Sequence, residues 1–390
     1  MSIDAIAAII LIFVLGIGLL LKRRKLEVQR ALFPLLYVVM YRSTIGIKAM
    51  ERLAVRFPRL LRILGHVGTV VGFAGMAFIV IELVAGSVML FTNPSAVAGV
   101  QPVLPIEAKG VFFVPFLYWV ISIFLIASVH EFAHGVLSFV HKIPVKRSGF
   151  AFVCLFLPII PAAFVEPDEE VLRRAKKKKQ LAVFAAGPFS NGLFAVLSLL
   201  LFVAISPLIS ASFESQGVQL VSVDKDGPAF AAGLRDGMIL TGINNNSVMS
   251  NANMSSVLAK KHPGDDVVLR AQDELFQVTL AANPKNVSRA FLGIQVKDHV
   301  MLKESFTAKY GVQLPKFAKW LAGLFFWLFM LNIGIGLFNL LPLGPLDGGR
   351  MFELACVKVL GKKNGLKVWS AMSLFLIGLI LLNLVAGFVR

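Results

Sequence analysis

Residues 111–140 read VFFVPFLYWVISIFLIASVHEFAHGVLSFV, an apolar run that ends on His130, Glu131 and His134. About 20 apolar residues cross a bilayer as a helix. Ionisable groups inside such a run are costly, and where they occur they serve function. Comparable runs lie at 3–21, 65–90, 181–210, 320–343 and 366–388. The composition agrees. Of 390 residues 57% are hydrophobic, 33 are Phe, and the mean hydropathy is +0.78, whereas soluble domains are roughly 45–50% apolar. The chain is therefore expected to be a polytopic α-helical membrane protein with about six transmembrane helices.

The net charge of +17 does not indicate nucleic acid, because the basic residues bracket the apolar runs. KRRK at 22–25, the stretch 41–62, HKIPVKR at 141–147, RRAKKKK at 173–179 and the segment 350–367 all fall on one side of a six-span arrangement. The excess of Lys and Arg in such loops makes that side cytoplasmic. The first run lacks a basic leader and a small-residue cleavage site, so it reads as a retained anchor. Residues 31–40 are expected at the interface or dipping into the membrane. Residues 41–62, with Arg or Lys every three or four positions, read as an interfacial amphipathic helix. The stretch GFAFVCLFLPIIPAAFV, 149–165, is broken by Pro158 and Pro161 and reads as a re-entrant hairpin or loop. Cys154 and Cys356 give no disulfide framework.

Between the fourth and fifth spans the composition changes. GVQLVSV, MILTGI, DVVLRA and LFQVTLA are short, β-rich and bounded by turn residues. A helix is expected at 251–261, capped by Asn251 or Asn253. Residues 212–298 thus form an inserted α+β domain, which the topology places outside the cytoplasm. The remaining divisions are an N-terminal transmembrane and amphipathic region (1–110) and a membrane core in two parts (111–210 and 317–390).

HEFAH fits His-Glu-x-x-His on a helix. His130 and His134, at i and i+4, share a face and can reach one Zn2+, with Glu131 beside it to take a proton from water. Two histidines leave such a site incomplete. Asp347, in NLLPLGPLDGGR at 339–350, is the only carboxylate between Glu304 and Glu353. It lies toward the same side of the membrane as His130, which makes it the candidate third ligand. In FAAGPFSNGL, 184–193, Gly187 and Pro188 loosen the start of a span and Asn191 carries an amide at the depth of the site. That amide could bind a substrate backbone or oxyanion, or serve as polar contact between helices.

HEFAH, AGPFSN and NLLPLGPLDGG, in that order on membrane segments, resemble the site-2 protease family of intramembrane zinc metalloproteases. The resemblance runs from residue 111 to the last span. It implies His130, His134 and Asp347 as zinc ligands and Glu131 as catalytic acid/base. It also implies Asn191, with Gly187 and Pro188, at the substrate, and Asn339 and Pro342 shaping the turn before the aspartate. GPAFAAGLRDGMIL, 227–240, is similar to the signature of bacterial PDZ domains, with Met238 where Asp is usual. PDZ domains take peptide chain ends by strand addition.

The expected function is cleavage of transmembrane protein substrates, pre-trimmed on the outer side, in the cell membrane. The PDZ-like domain would be extracytoplasmic and the zinc site toward the cytoplasm. An inactive PDZ-bearing scaffold would lack a ligand or Glu131. An ion-coupled transporter would show inverted repeats.

Overall fold

The computed structural model describes residues 9–11, 13, 15–17, 26–32, 36–93, 96–155, 157–272, 274–284 and 286–389. The first predicted span, 3–21, and KRRK at 22–25 thus lie largely outside the described residues. The chain divides into two compact units, Met1–Phe202 with Gly323–Arg390, and Val203–Ala322.

The first unit opens with strands β1 (Leu26–Leu32) and β2 (Leu36–Ser43), then helices α1 (Ile47–Arg56) and α2 (Pro58–Thr92). Short strands β3 (Val103–Leu104) and β4 (Phe112–Phe113) precede α3 (Phe116–Val140). Strands β5 (Val145–Leu155) and β6 (Leu157–Pro167), the short α4 (Glu169–Arg174) and the long α5 (Lys177–Ser212) follow. The predicted hairpin at 149–165 is β5 and β6. It joins β1 and β2 in an antiparallel sheet of order β1-β2-β5-β6. Residues 31–40 are accordingly extended where described. The single amphipathic helix expected over 41–62 is instead the end of β2, α1 and the first turn of α2. Phe57 breaks the helix, and Pro58 begins the next one at a position where its missing N–H is not needed.

Prolines are tolerated in β6 because it is an edge strand. The Val165 N–H donates to Glu131 Oε2 rather than to β5, so it points off the sheet. Pro161 and Pro167 share its parity, so their missing N–H groups fall on the free edge. α3 packs against β6 and meets it through Glu131.

The second unit has a sheet of order β11-β10-β8-β7-β14, all antiparallel, with β9 (Asn246–Ser247) against β8. The strands are β7 (Phe213–Val223), β8 (Ile239–Ile243), β10 (Asp266–Ala271), β11 (Glu274–Thr279) and β14 (Ile294–Leu302). β12 (Ala281–Asn283) and β13 (Asn286–Phe291) pair separately. Helices α6 (Pro228–Ala231) and α7 (Asn251–Leu258) complete the domain around one core that includes Leu220, Leu240, Ile243 and Leu269. The cap of α7 is Ser250, not the predicted asparagines: its side chain accepts the Asn253 N–H. A further helix, α8 (Glu304–Tyr310), follows β14.

α9 (Gln313–Asn339) and α10 (Asp347–Val389) finish the chain. α10 is broken at Gly361, whose φ of 75° suits glycine alone. The basic segment 350–367 is therefore mostly helical rather than loop. Five helices among the described residues, α2, α3, α5, α9 and α10, are long and apolar enough to cross a membrane. α2 packs through a glycine seam. A Cβ on Gly65 would meet Leu137 and Ala182, one on Gly68 would meet Phe189, and one on Gly72 would meet Met351, Ala185 and Leu340. Small residues let membrane helices approach closely, and here they bring α2 against the helices that carry the HEFAH, AGPFSN and PLDGG segments.

Candidate metal centre

HEFAH lies in the cytoplasm-predicted half of α3. Helical spacing sets the His130 and His134 rings edge to face, with their Nε2 atoms 3.1 Å apart. Asp347 arrives from a different element. Asn339 ends α9, the backbone turns through Pro342 and Pro345, and Asp347 begins α10. Gly348 and Gly349 let that turn close, because a Cβ on either would run into the backbone of Leu340, Leu341 or Leu343. Asp347 Oδ2 thereby comes within 3.0 Å of His130 Nε2 and 3.2 Å of His134 Nε2.

The three atoms form a nearly equilateral triangle. Tetrahedral coordination with bonds of about 2.0–2.1 Å has edges of about 3.3–3.4 Å between ligand atoms. The triangle is thus close in size to one face of a zinc tetrahedron, and two imidazoles with a carboxylate suit that ion. Among the described residues this is the group of His, Cys, Asp and Glu side chains able to hold a metal. A side chain on Gly187 would collide with both histidine Nε2 atoms, so the glycine of AGPFSN keeps the centre of the site open.

The far sides of the rings are also held. His134 Nδ1–H donates to Val183 O at 2.7 Å, which leaves Nε2 with its lone pair for ligation. Behind His130 stands Asn191, fully buried, with its amide nitrogen 3.2 Å from Nδ1 and its Oδ1 without a partner. The two ends of an amide are alike in shape. The orientation that turns Oδ1 onto His130 Nδ1–H satisfies the oxygen and bares Nε2, as the triangle requires.

His130, Glu131, His134 and Asp347 all line a cavity of about 620 Å3. Its rim is charged, with Arg42, Lys146, Glu166 and Arg350. Lys146 pairs with Asp168 at 2.9 Å. That hydrogen bond, with those from Val171 and Glu170 N–H, holds the Asp168 carboxyl below the usual carboxylate range and fixes the start of α4.

The predicted residues do not all meet there. Asn339 lines the cavity. Asn191 sits behind His130. Pro188 and Pro342 are buried elsewhere: the Pro188 carbonyl faces Gly336, and the Pro342 carbonyl accepts from Ser373 Oγ at 3.1 Å. Sequence reasoning passed over Val165 and Val183, which act through backbone groups and leave no trace in residue type. It also passed over Gly135, where a Cβ would strike Met50 of α1 and Val165 of β6. A glycine directly after the second ligand was its available signal.

Residues 118–383 match the family model described as Peptidase family M50. The chain is 25% identical over 342 residues to an uncharacterized protein of Methanocaldococcus jannaschii, covering 86% of this chain and 82% of that protein. It is 25% identical over 255 residues to zinc metalloprotease RasP of Shouchella clausii, covering 53% and 59%. It is 26% identical over 178 residues to a membrane-bound transcription factor site-2 protease homolog of Arabidopsis thaliana, covering 44% and 33%. The chain thus spans less than two thirds of the latter two. Among solved structures, 21% of the chain aligns with 87% of the PDZ domain of an SdrC-like protein from Listeria monocytogenes, at 28% identity and a TM-score of 0.18. The family match runs from α3 into α10 and takes in all three corners of the ligand triangle: the chain belongs to peptidase family M50, the site-2 protease family.

Proposed function

We propose that this chain is an intramembrane zinc endopeptidase that cleaves transmembrane segments of other membrane proteins. The triangle of His130 Nε2, His134 Nε2 and Asp347 Oδ2 on a cavity shared with Glu131 carries this reading. Bound there, Zn2+ would acidify a water and polarise a peptide carbonyl. Glu131 takes a proton from the attacking water and delivers it to the leaving amine. The Val165 N–H on its Oε2 holds the carboxylate in place until then. Asn191 orients His130 through Nδ1, and Gly187 leaves room for the scissile group.

A helix hides its own peptide bonds, so the substrate must be extended to be cut. β6 is the outer strand of its sheet, which supports docking of such a segment as an added strand beside Val165. Val165, Glu166 and Pro167 of that edge line the cavity. Ala163 offers an edge N–H of the same parity as Val165, and Asn339 lines the same cavity. The charged rim, on the side of the basic loops, supports a cytoplasmic water route and cleavage near the cytoplasmic end of the substrate. The PDZ-like insert would take chain ends exposed by an earlier cut on the outer side, making access conditional on trimming.

Glu131→Gln is expected to lower cleavage of a reconstituted membrane substrate by about 10²–10⁴-fold, with zinc content unchanged. Wild-type rates in that variant would overturn the proposal. For the insert, deletion of residues 213–296 should abolish discrimination between full-length and trimmed substrates, and retained discrimination would remove its gating role.

A further inference from the structure

The lysine run 176–179 at the start of α5 has no part in the chemistry above. In the first unit it closes a second cavity, of about 690 Å3, together with Arg62, Lys142 and Lys358. These cations come from the first turns of α2, the turn after α3, the 176–179 run and α10. Four basic segments that are distant in sequence thus meet at one spot. Among the described residues no carboxylate lines this cavity. Crowded like charges repel, and the repulsion falls when an anion lies among them. A shared membrane side would explain why these segments are basic. It would not require that they converge on a cavity.

The cavity also contains an imidazole lacking a partner. His141 caps the C-terminus of α3 and lines the cavity. It is 9% exposed, and its buried Nε2 has no hydrogen-bond partner. A buried polar atom left unpaired costs the free energy of its lost hydration. Burial, followed by the nearby Lys179, His66 and Arg62 charges, pushes the pKa of His141 down to about 4. The ring is therefore neutral near pH 7 and offers one donor and one acceptor. These donors and cations match the chemistry of an oxygen-rich anion.

Location selects its source. α2 begins here, α3 ends here and α5 begins here, and all three are long enough to span a bilayer. With these helices spanning a bilayer, their shared end would place the cavity at the depth of lipid headgroups. We propose that it binds the phosphate of an anionic membrane lipid, with Arg62 and the lysines neutralising its charge and His141 pairing with a phosphate oxygen. A lipid held there ties the end of α3, seven residues beyond His134, to α2, α5 and α10. Those are the elements that pack around the ligand triangle.

The test uses the full chain reconstituted in phosphatidylcholine vesicles containing a minor share of phosphatidylglycerol, with lipid retention after extraction read by native mass spectrometry. Wild type is expected to retain phosphatidylglycerol over phosphatidylcholine. A Lys177→Gln, Lys178→Gln, Lys358→Gln variant is expected to retain it about a hundredfold less well, at roughly fivefold per lysine. A Lys362→Gln, Lys363→Gln, Lys367→Gln variant removes the same charge outside the cavity and is expected to retain it like wild type. Equal loss in both variants, or no loss in the first, would overturn the site. Displacement of the lipid by an equal concentration of inorganic phosphate would assign the cavity to a soluble anion and overturn the lipid. Zinc content in all three proteins reports that each is folded.

Discussion

The two units use apolar residues for opposite purposes. In the insert they are hidden: Val218, Leu240, Ile243 and Leu269 are wholly buried. In the membrane unit they are displayed, and only 11–33% of the most apolar window of each spanning helix is buried within the chain. Leu193, Val196 and Leu200 of α5 are 50–61% exposed. Burial from water stabilises the insert. In the membrane unit, lipid is as apolar as leucine, so helix pairing rests on close packing and hydrogen bonds. The glycine seam of α2 provides the packing. Asn383 Nδ2 donating to Ser87 Oγ at 2.8 Å, both buried, provides one of the bonds. Large side chains therefore carry the fold of the insert, and absent ones carry the fold of the membrane unit.

The sharpest way to break this contrast is to add a side chain where the membrane unit has none. Gly187→Val places methyl groups on the His130 and His134 ligand atoms. It is expected to abolish stoichiometric zinc and reduce cleavage to background, as measured by metal analysis and a reconstituted assay. Full zinc content in this variant would mean the triangle is not the metal site.

Identical truncations in the two units should differ next. Leu240→Ala is expected to destabilise the insert by about 2–5 kcal/mol through a core cavity. Leu200→Ala, on the exposed face of α5, should change stability by less than about 0.5 kcal/mol. Denaturant titration read by hydrogen exchange in each segment measures both, and equal losses would erase the distinction.

A smaller effect separates two roles for Asn191. If its oxygen fixes the His130 ring, Asn191→Ala should weaken zinc binding about 10–100-fold. Asn191→Asp, which keeps an acceptor on Nδ1–H, should restore most of that affinity. Unchanged affinity in the alanine variant, with a raised KM alone, would assign the amide to substrate instead.

Much of this was legible in the chain. HEFAH offers two candidate ligands and a candidate base because i and i+4 share a helix face, and Asp347 was the available carboxylate at the right depth. The strand runs of the insert are β-rich and bounded by turn residues, and four of its five main strands lie where those runs predict them. Other features were not legible. The run at 31–40 is apolar enough for a membrane dip, and only pairing with β5 makes it a strand. The predicted caps of α7 missed Ser250 by a single residue, since several adjacent side chains can serve. Val165 and Val183 hold Glu131 and His134 through backbone atoms that every residue type possesses.

The sequence by itself determined the residues from which the proposed chemistry is read: apolar runs of spanning length, two histidines at helical spacing, a glutamate between them and an aspartate before paired glycines. Those are local facts, set by the period of the helix and the cost of charge in lipid. Tertiary structure alone decided that the aspartate reaches the histidines, that Asn191 stands behind one ring instead of on the open cavity, and that four basic segments enclose one pocket. Each of these depends on distances between residues far apart in the chain. Close approach at glycines sets those distances, and a glycine's neighbours cannot be read from the residues beside it.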